Sequence, residues 1–279
     1  MKVIINADDF GMSRSVNTAI VDGYKRGILT STCIMANMPW FDDAILKLPQ
    51  VENIGLGVHL NIIEYKTILK TPIKNSKLYD NEGFFNNGFL QMIIKSFDKK
   101  FMEEVENEFR MQIETILQYA HPDHLDSHVH THAIPNIFKL VCKLAKEYHI
   151  PCVRTQFEHL YFDGNKNNFL NPKYYINLIK IIILNTFTLI NRKTAKKYGI
   201  QTNDCVIGVG YTAMMNENTI QKGINKVRNT KKILEVICHP DLNIERNSNL
   251  NEYYAVVNPE MLKFLKDLDT ISYKNLLTE

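Results

Sequence analysis

MKVIINADDFGMSRSVNTAIVDGYKRGILTSTCIM, residues 1–35, sets out the unit from which the fold is built. Val3 to Asn6 is a short β-branched run that reads as a strand, Ser15 to Arg26 carries apolar residues at helical spacing, and Ser31 to Met35 is a second strand. Outward from this βα unit the pattern recurs. Strands are expected at Ile54 to His59, His124 to Ser127, Cys152 to Arg154, Cys205 to Ile207 and Ile233 to Cys238, with an eighth near Thr270 to Tyr273. Helices are expected at Lys100 to Tyr119, Pro135 to Tyr148, Glu217 to Asn229 and Pro259 to Leu268. In the first of these, Phe101, Val105, Phe109, Ile113, Ile116 and Leu117 recur at spacings of three and four and give one apolar stripe. Seven or eight strands, each followed by a helix, favour a TIM-like (β/α) barrel over an open sheet, and a barrel of about 250 residues fills the chain. Residues 1–279 are therefore read as a single domain, with insertions near 64–88 and 157–197, segments long enough to be functional or mobile.

Composition removes several classes of function. Apolar residues make up 45% of the chain and charged ones 23%, which suits a packed core. Thirty-three basic and 30 acidic side chains leave a net charge of +3, without the basic stripe expected of nucleic-acid binding. Five cysteines with no CxxC pair indicate neither a disulfide framework nor a thiolate zinc site. The N-terminus enters a strand at once, with no hydrophobic signal region, so a cytoplasmic protein is expected. Residues 176–190 are apolar but interrupted by Lys180 and Asn185 and shorter than the ~20 residues of a membrane span, so no stable membrane insertion is expected.

The unusual polar clusters all fall at the carboxyl ends of expected strands, the rim where α/β active sites assemble. Asn6-Ala7-Asp8-Asp9-Phe10-Gly11 pairs two carboxylates that need a counter-charge in a cleft; a solvated turn capping the next helix through Ser13 or Ser15 is the plainer alternative. Gly55 to Asn61 ends a strand in His59, which alone reads more often as a hydrogen-bonded structural histidine than as a ligand. Residues 121–132 hold five of the nine histidines, and in extended chain Asp126, His128, His130 and His132 share a face and project into one pocket. So many imidazoles point to a metal more than to packing. Glu235 to Pro240 ends another strand in His239. A carboxylate and two imidazoles with open positions suit a catalytic metal site, and the lack of Cys argues against a structural one.

NADDFGMS at 6–13, GLGVHLN at 55–61, HLDSHVHTH at 124–132 and CHP at 238–240 together make the chain resemble the YdjC-like carbohydrate deacetylases, which include chitooligosaccharide deacetylases. The resemblance implies a TIM-like barrel, a small N-acetylated sugar as substrate, and one divalent ion, Mg²⁺ ahead of Zn²⁺, on Asp9, His59 and His128. Similarity to NodB-like deacetylases further implies Asp8 as base and His239 as acid. The chain departs from the family pattern in residues 157–197 and in 61–63, where a hydroxyl-bearing residue is expected. Asp126 is a candidate to orient a histidine, Arg154 to hold substrate or a phosphate on it, and His130 and His132 to contact the substrate or support the ligands.

The rival enzyme class is a metal-dependent phosphoesterase, since clustered His and Asp also build two-metal sites. A non-catalytic metal or sugar-binding protein has no need of Asp8 beside the ligand. A third reading keeps the chemistry and moves it to a lipid-linked amide, because Lys173, Arg192, Lys193, Lys196 and Lys197 flank the apolar 176–190 stretch; an ordinary barrel helix or lid is the alternative. Homodimerisation is the general expectation for soluble chains.

Overall fold

The structure, a computed structural model, describes residues 1–245 and 247–277. In chain order the elements are β1 (Lys2–Phe10), α1 (Arg14–Arg26), β2 (Ser31–Ile34), α2 (Phe41–Lys47), β3 (Gly55–Leu60), α3 (Phe89–Lys95), α4 (Lys99–Leu117), β4 (His124–Ser127), α5 (Pro135–Glu147), β5 (Cys152–Val153), α6 (Pro172–Tyr198), β6 (Cys205–Ile207), α7 (Glu217–Val227), β7 (Ile233–Cys238), α8 (Asn247–Val257), α9 (Pro259–Leu265) and β8 (Asp269–Thr270). Seven parallel strands lie in the order β5-β4-β3-β2-β1-β7-β6. Parallel single-residue bridges, Cys152 to Gln201 and Glu158 to Val206, bring the two ends of this curled sheet together. The result is the TIM-like barrel architecture expected from the sequence, with β8 outside the path, pairing only with Lys2 and Val3.

Alternation along the strands separates two cores. Val3, Ile5 and Ala7 of β1 pack outward with Val16 and Ile20 of α1 in the large cluster between sheet and helices. Ile4 of β1 and Cys152 of β5 instead share a cluster with Tyr273 and Leu276, inside the curl. Other inward positions carry Asp8, Asp126, Arg154 and Glu235, so charged side chains share the interior with apolar ones. Gly57 also faces inward: a Cβ there would lie 2.3 Å from His124 Nε2, so only glycine fits beside that ring.

Local signals place the helices. Ser13 Oγ accepts the Val16 N–H and starts α1 just beyond the Asp8-Asp9 pair. Asp98 caps α4, whose Phe101, Val105, Phe109, Ile113 and Ile116 are buried. The 64–88 segment is tied to α4 through Glu104, which accepts from Lys77 and Leu78, and Glu108, which accepts from Thr67 and Ile68. The apolar 176–190 stretch lies within a helix of 27 residues, begun by Asn171 and Pro172 and ended by Gly199 at φ 73°. By length and composition α6 could cross a membrane, yet a third of its most apolar window (33%) is buried against the protein.

Candidate metal and catalytic site

Asp8 faces the barrel interior as an even-numbered residue of β1, and in a regular strand Asp9 would face the other way. The pairing with β2 shifts register between Ala7 and Phe10, and Asp9 sits at φ 72°, the left-handed region that non-glycine residues seldom occupy. This local distortion sets Asp9 beside His59 and His128, while Asp8 lines a cavity of about 480 Å³ at the carboxyl rim together with those two histidines.

Asp9 Oδ1 lies 3.3 Å from His59 Nε2 at the end of β3 and 2.9 Å from His128 Nδ1 just after β4. The three side chains offer donor atoms within 4.8 Å of one another, so they could hold a metal ion. Each imidazole gives its other nitrogen to a carboxylate: His59 Nδ1 to Asp126 Oδ1 at 2.8 Å and His128 Nε2 to Glu64 Oε2 at 2.8 Å. That pairing fixes ring orientation and raises ligand basicity. Burial lowers the pKa of His59, but Asp126 and Asp8 outweigh it and lift it to about 10. Burial likewise opposes Asp9 and Glu64 at His128, which reaches about 9. The same carboxylates would favour a divalent cation, and one oxygen with two nitrogens, open on the cavity side, fits one.

A second group, Asp8, Cys33, His59 and Asp126, is equally compact but fully buried. Its charge is already met by Arg154, which donates to Asp8 through Nη1 at 2.9 Å and Nη2 at 2.7 Å. The same guanidinium lies 2.7 Å from Asp126 and 2.6 Å from Glu235. Burial raises the pKa of Asp8, yet Arg154 and His59 overcome it and hold the carboxyl at about 2. Burial pushes the Cys33 thiol well above its ordinary range, so it does not supply a thiolate. Arg154 is fully enclosed behind Asp8. The structure thus places it on protein carboxylates, away from the cavity where a substrate would meet it.

His239 follows β7 and lies 4.0 Å from Asp8 Oδ2 through Nε2. Its Nδ1 is 3.5 Å from Glu252 Oε2, and the same oxygen accepts the His239 backbone N–H at 2.5 Å. Burial depresses its pKa, but Glu252, with help from Asp8 and Asp9, outweighs that and raises it to about 9.

The histidine-rich stretch departs from the extended reading. β4 stops at Ser127, and Val129 (φ 51°) and His130 (φ 58°) are left-handed within a tight turn. Period-two alternation therefore ends there, and the histidines scatter. His130 lines the cavity, with Nδ1 enclosed and unpartnered among the described residues. His132 turns inward, accepting from Ser127 Oγ at 2.6 Å and donating to the Arg154 carbonyl at 3.1 Å. Burial, reinforced by Arg154, keeps it neutral at about 4, although Asp126 acts in the opposite sense. His124 stacks on Tyr273 with ring centroids 4.0 Å apart, below the site.

Glu64 and Glu252 escaped the sequence reading. For Glu64 a signal existed: Asn61 Oδ1 accepts the N–H groups of Ile63 and Glu64, a turn that aims Glu64 at His128. Asn61 thus has a local role where a hydroxyl was expected. Glu252 lies on α8, far in sequence from any strand end, and nothing around it marks it.

A carbohydrate deacetylase from Clostridium beijerinckii is 29% identical over 289 aligned positions, covering 99% of this chain and 100% of the relative. A carbohydrate deacetylase from Brevibacillus brevis is 36% identical over 154 residues, 54% of this chain and 58% of the relative. A chitooligosaccharide deacetylase from Salmonella paratyphi B is 30% identical over 147 residues, 52% of this chain and 56% of the relative. A crystal structure from Enterococcus faecalis, of a protein named for cellobiose-phosphate cleavage, superposes with a TM-score of 0.76 at 23% identity, covering 99% of this chain and 98% of that one. That likeness concerns the fold. The family model of YdjC-like proteins matches residues 2–267, and the chain belongs to that family.

Proposed function

We propose that this chain is a metal-dependent carbohydrate deacetylase, removing acetyl from an N-acetylated sugar with Asp8 as base and His239 as acid. One observation carries the reading: Asp8 and His239 line the same cavity as His59 and His128, whose donor atoms lie close to that of Asp9. The names of the relatives, carbohydrate and chitooligosaccharide deacetylases, agree with it.

A divalent ion on Asp9, His59 and His128 would polarise the acetyl carbonyl and lower the pKa of water beside it. Asp8, held ionised by Arg154, accepts a proton from that water as its oxygen attacks the carbonyl carbon. His239, held protonated by Glu252, delivers a proton to the amide nitrogen as the C–N bond breaks, leaving acetate and a free amine. Asp126 and Glu64 keep both imidazoles in the tautomer that presents a lone pair. By donor type two imidazoles suit Zn²⁺, while Mg²⁺ more often takes oxygen ligands. A two-metal phosphoesterase would need the second donor group, and Arg154 already engages Asp8 and Asp126 there.

The test is acetate release from N-acetylated mono- and disaccharides by protein stripped with chelator and resupplied with Zn²⁺ or Mg²⁺. Acetate that depends on the ion supports the reading. Phosphate release from phosphorylated sugars, with no acetate from any, overturns it.

A further inference from the structure

The wall above the catalytic floor is aliphatic. Leu90 of α3, Val129, and Ile176, Ile179 and Ile183 of α6 line the cavity over Asp8, His59 and His239. Four of them remain open to solvent: Leu90 is 67% exposed, Val129 45%, Ile176 54% and Ile179 59%. A sugar offers hydroxyl groups, and a site built for sugar alone would surround them with hydrogen-bonding side chains.

The helix that supplies this wall is apolar on its outward face as well as its buried one. Its buried stripe sets Asn177, Thr188 and Asn191 among the apolar Tyr174, Ile181, Leu184 and Ala195, with Asn177 donating to Thr212 O and Asn191 to Ala133 O. Its outward face presents Ile176, Ile179, Ile182, Leu189 and Ile190. An ordinary surface helix keeps its outward face polar. Six basic residues and no acidic one lie in residues 172–198. Lys180 is the only lysine or arginine among the described residues lining the cavity, and it has no ion-pair or hydrogen-bond partner among them.

We propose that the acetylated sugar is carried on an apolar chain: a glycolipid whose phosphate linker meets Lys180 and whose alkyl or prenyl chain lies on the wall of Leu90, Ile176, Ile179 and Ile183. This rests on the deacetylase reading. Ile176 and Ile179 belong both to the cavity and to the exposed row, so a chain lying there leaves the amide within reach of Asp8 and His239. Charge favours this occupant over a second copy of the protein, since a two-fold pairing through α6 would set two wholly cationic helices together.

The experiment measures kcat/KM for acetate release from N-acetylglucosamine, its 1-phosphate, and butyl, octyl and dodecyl phosphodiesters of that sugar below their micellar concentrations. Each methylene buried is worth up to about fourfold in affinity, so kcat/KM should climb with chain length until the wall is covered. In Ile179→Gln the climb should flatten, and in Lys180→Gln the advantage of a phosphodiester over a neutral alkyl glycoside should shrink. Turnover of the free sugar with no dependence on chain length overturns the glycolipid proposal and leaves the deacetylase reading standing. No acetate from any compound by metal-loaded protein overturns both. A dimer in solution that Ile179→Gln dissociates, together with a flat chain-length series, assigns the face to a second copy and also overturns the proposal.

Discussion

Arg154 Nη2 lies 2.7 Å from Asp8 Oδ1 with Arg154 itself fully enclosed, so the proposed base is held ionised from behind by a cation that lies outside the cavity lining. Removing that cation leaves Asp8, Asp126 and Glu235 enclosed together, and breaking a buried pair in this way costs about 3–5 kcal/mol. Arg154→Met should unfold at markedly lower denaturant, whereas Asp8→Asn should fold, bind metal and lose about 10²–10⁴-fold in turnover. Chemical denaturation and metal analysis on the two variants separate these effects. Normal acetate release by Asp8→Asn would sink its assignment as base.

Glu64 gives a cleaner test of the proposed metal site because its side chain is 55% exposed. Outer carboxylates on metal-binding histidines are worth about 10–100-fold in metal affinity. Glu64→Gln should weaken the ion by that amount without changing unfolding, while His59→Ala and His128→Ala should fail to retain it. Competition against a fluorescent chelator measures all three. An unchanged affinity in Glu64→Gln would remove Glu64 from the site.

What the sequence disclosed follows from how local each cause is. β6 and β7 carry β-branched runs and end where expected, because burial on both faces writes itself into consecutive residues. His59 and His128 stood out at or near strand ends, but their pairing with Asp9 came from the family resemblance. The left-handed turn at Val129 and His130 could not be read, since neither residue type signals positive φ. Arg154 was legible as a residue at the rim, but which way it faces depends on Asp8, Asp126 and Glu235, each from a different strand. Glu252 likewise acts across the fold on His239, and pairings of that range leave no periodicity to read.

Stability should fall as pH rises through the region governed by Glu158, a residue remote from the proposed chemistry. Burial lifts its pKa to about 7 against the ordinary 4.5, although the N–H groups of Val209 and Gly210 oppose the shift. A carboxyl that stays protonated in the folded chain and ionises when unfolded adds stability below pH ~4.5, lost progressively by pH ~7. The shift corresponds to about 3 kcal/mol. Glu158→Gln should therefore gain on the natural protein between pH 5 and 8 in denaturant titrations. Parallel curves for the two proteins would show that Glu158 ionises normally.

The alkaline limit of activity should be set by His239. Burial alone would pull its pKa down; Glu252 outweighs that and raises it to about 9, so the imidazolium persists through neutral pH. If His239 must be protonated when the amide C–N bond breaks, kcat falls as pH rises through that value. In Glu252→Gln the supporting charge is gone, and the falling limb should move toward neutral pH while the acid limb stays in place. Glu252 is enclosed, so a simple loss of packing could also lower the rate, but that would depress the whole profile without displacing one limb. A pH profile of kcat with metal saturating distinguishes the two. A limb that stays put in Glu252→Gln would mean that another group delivers the proton.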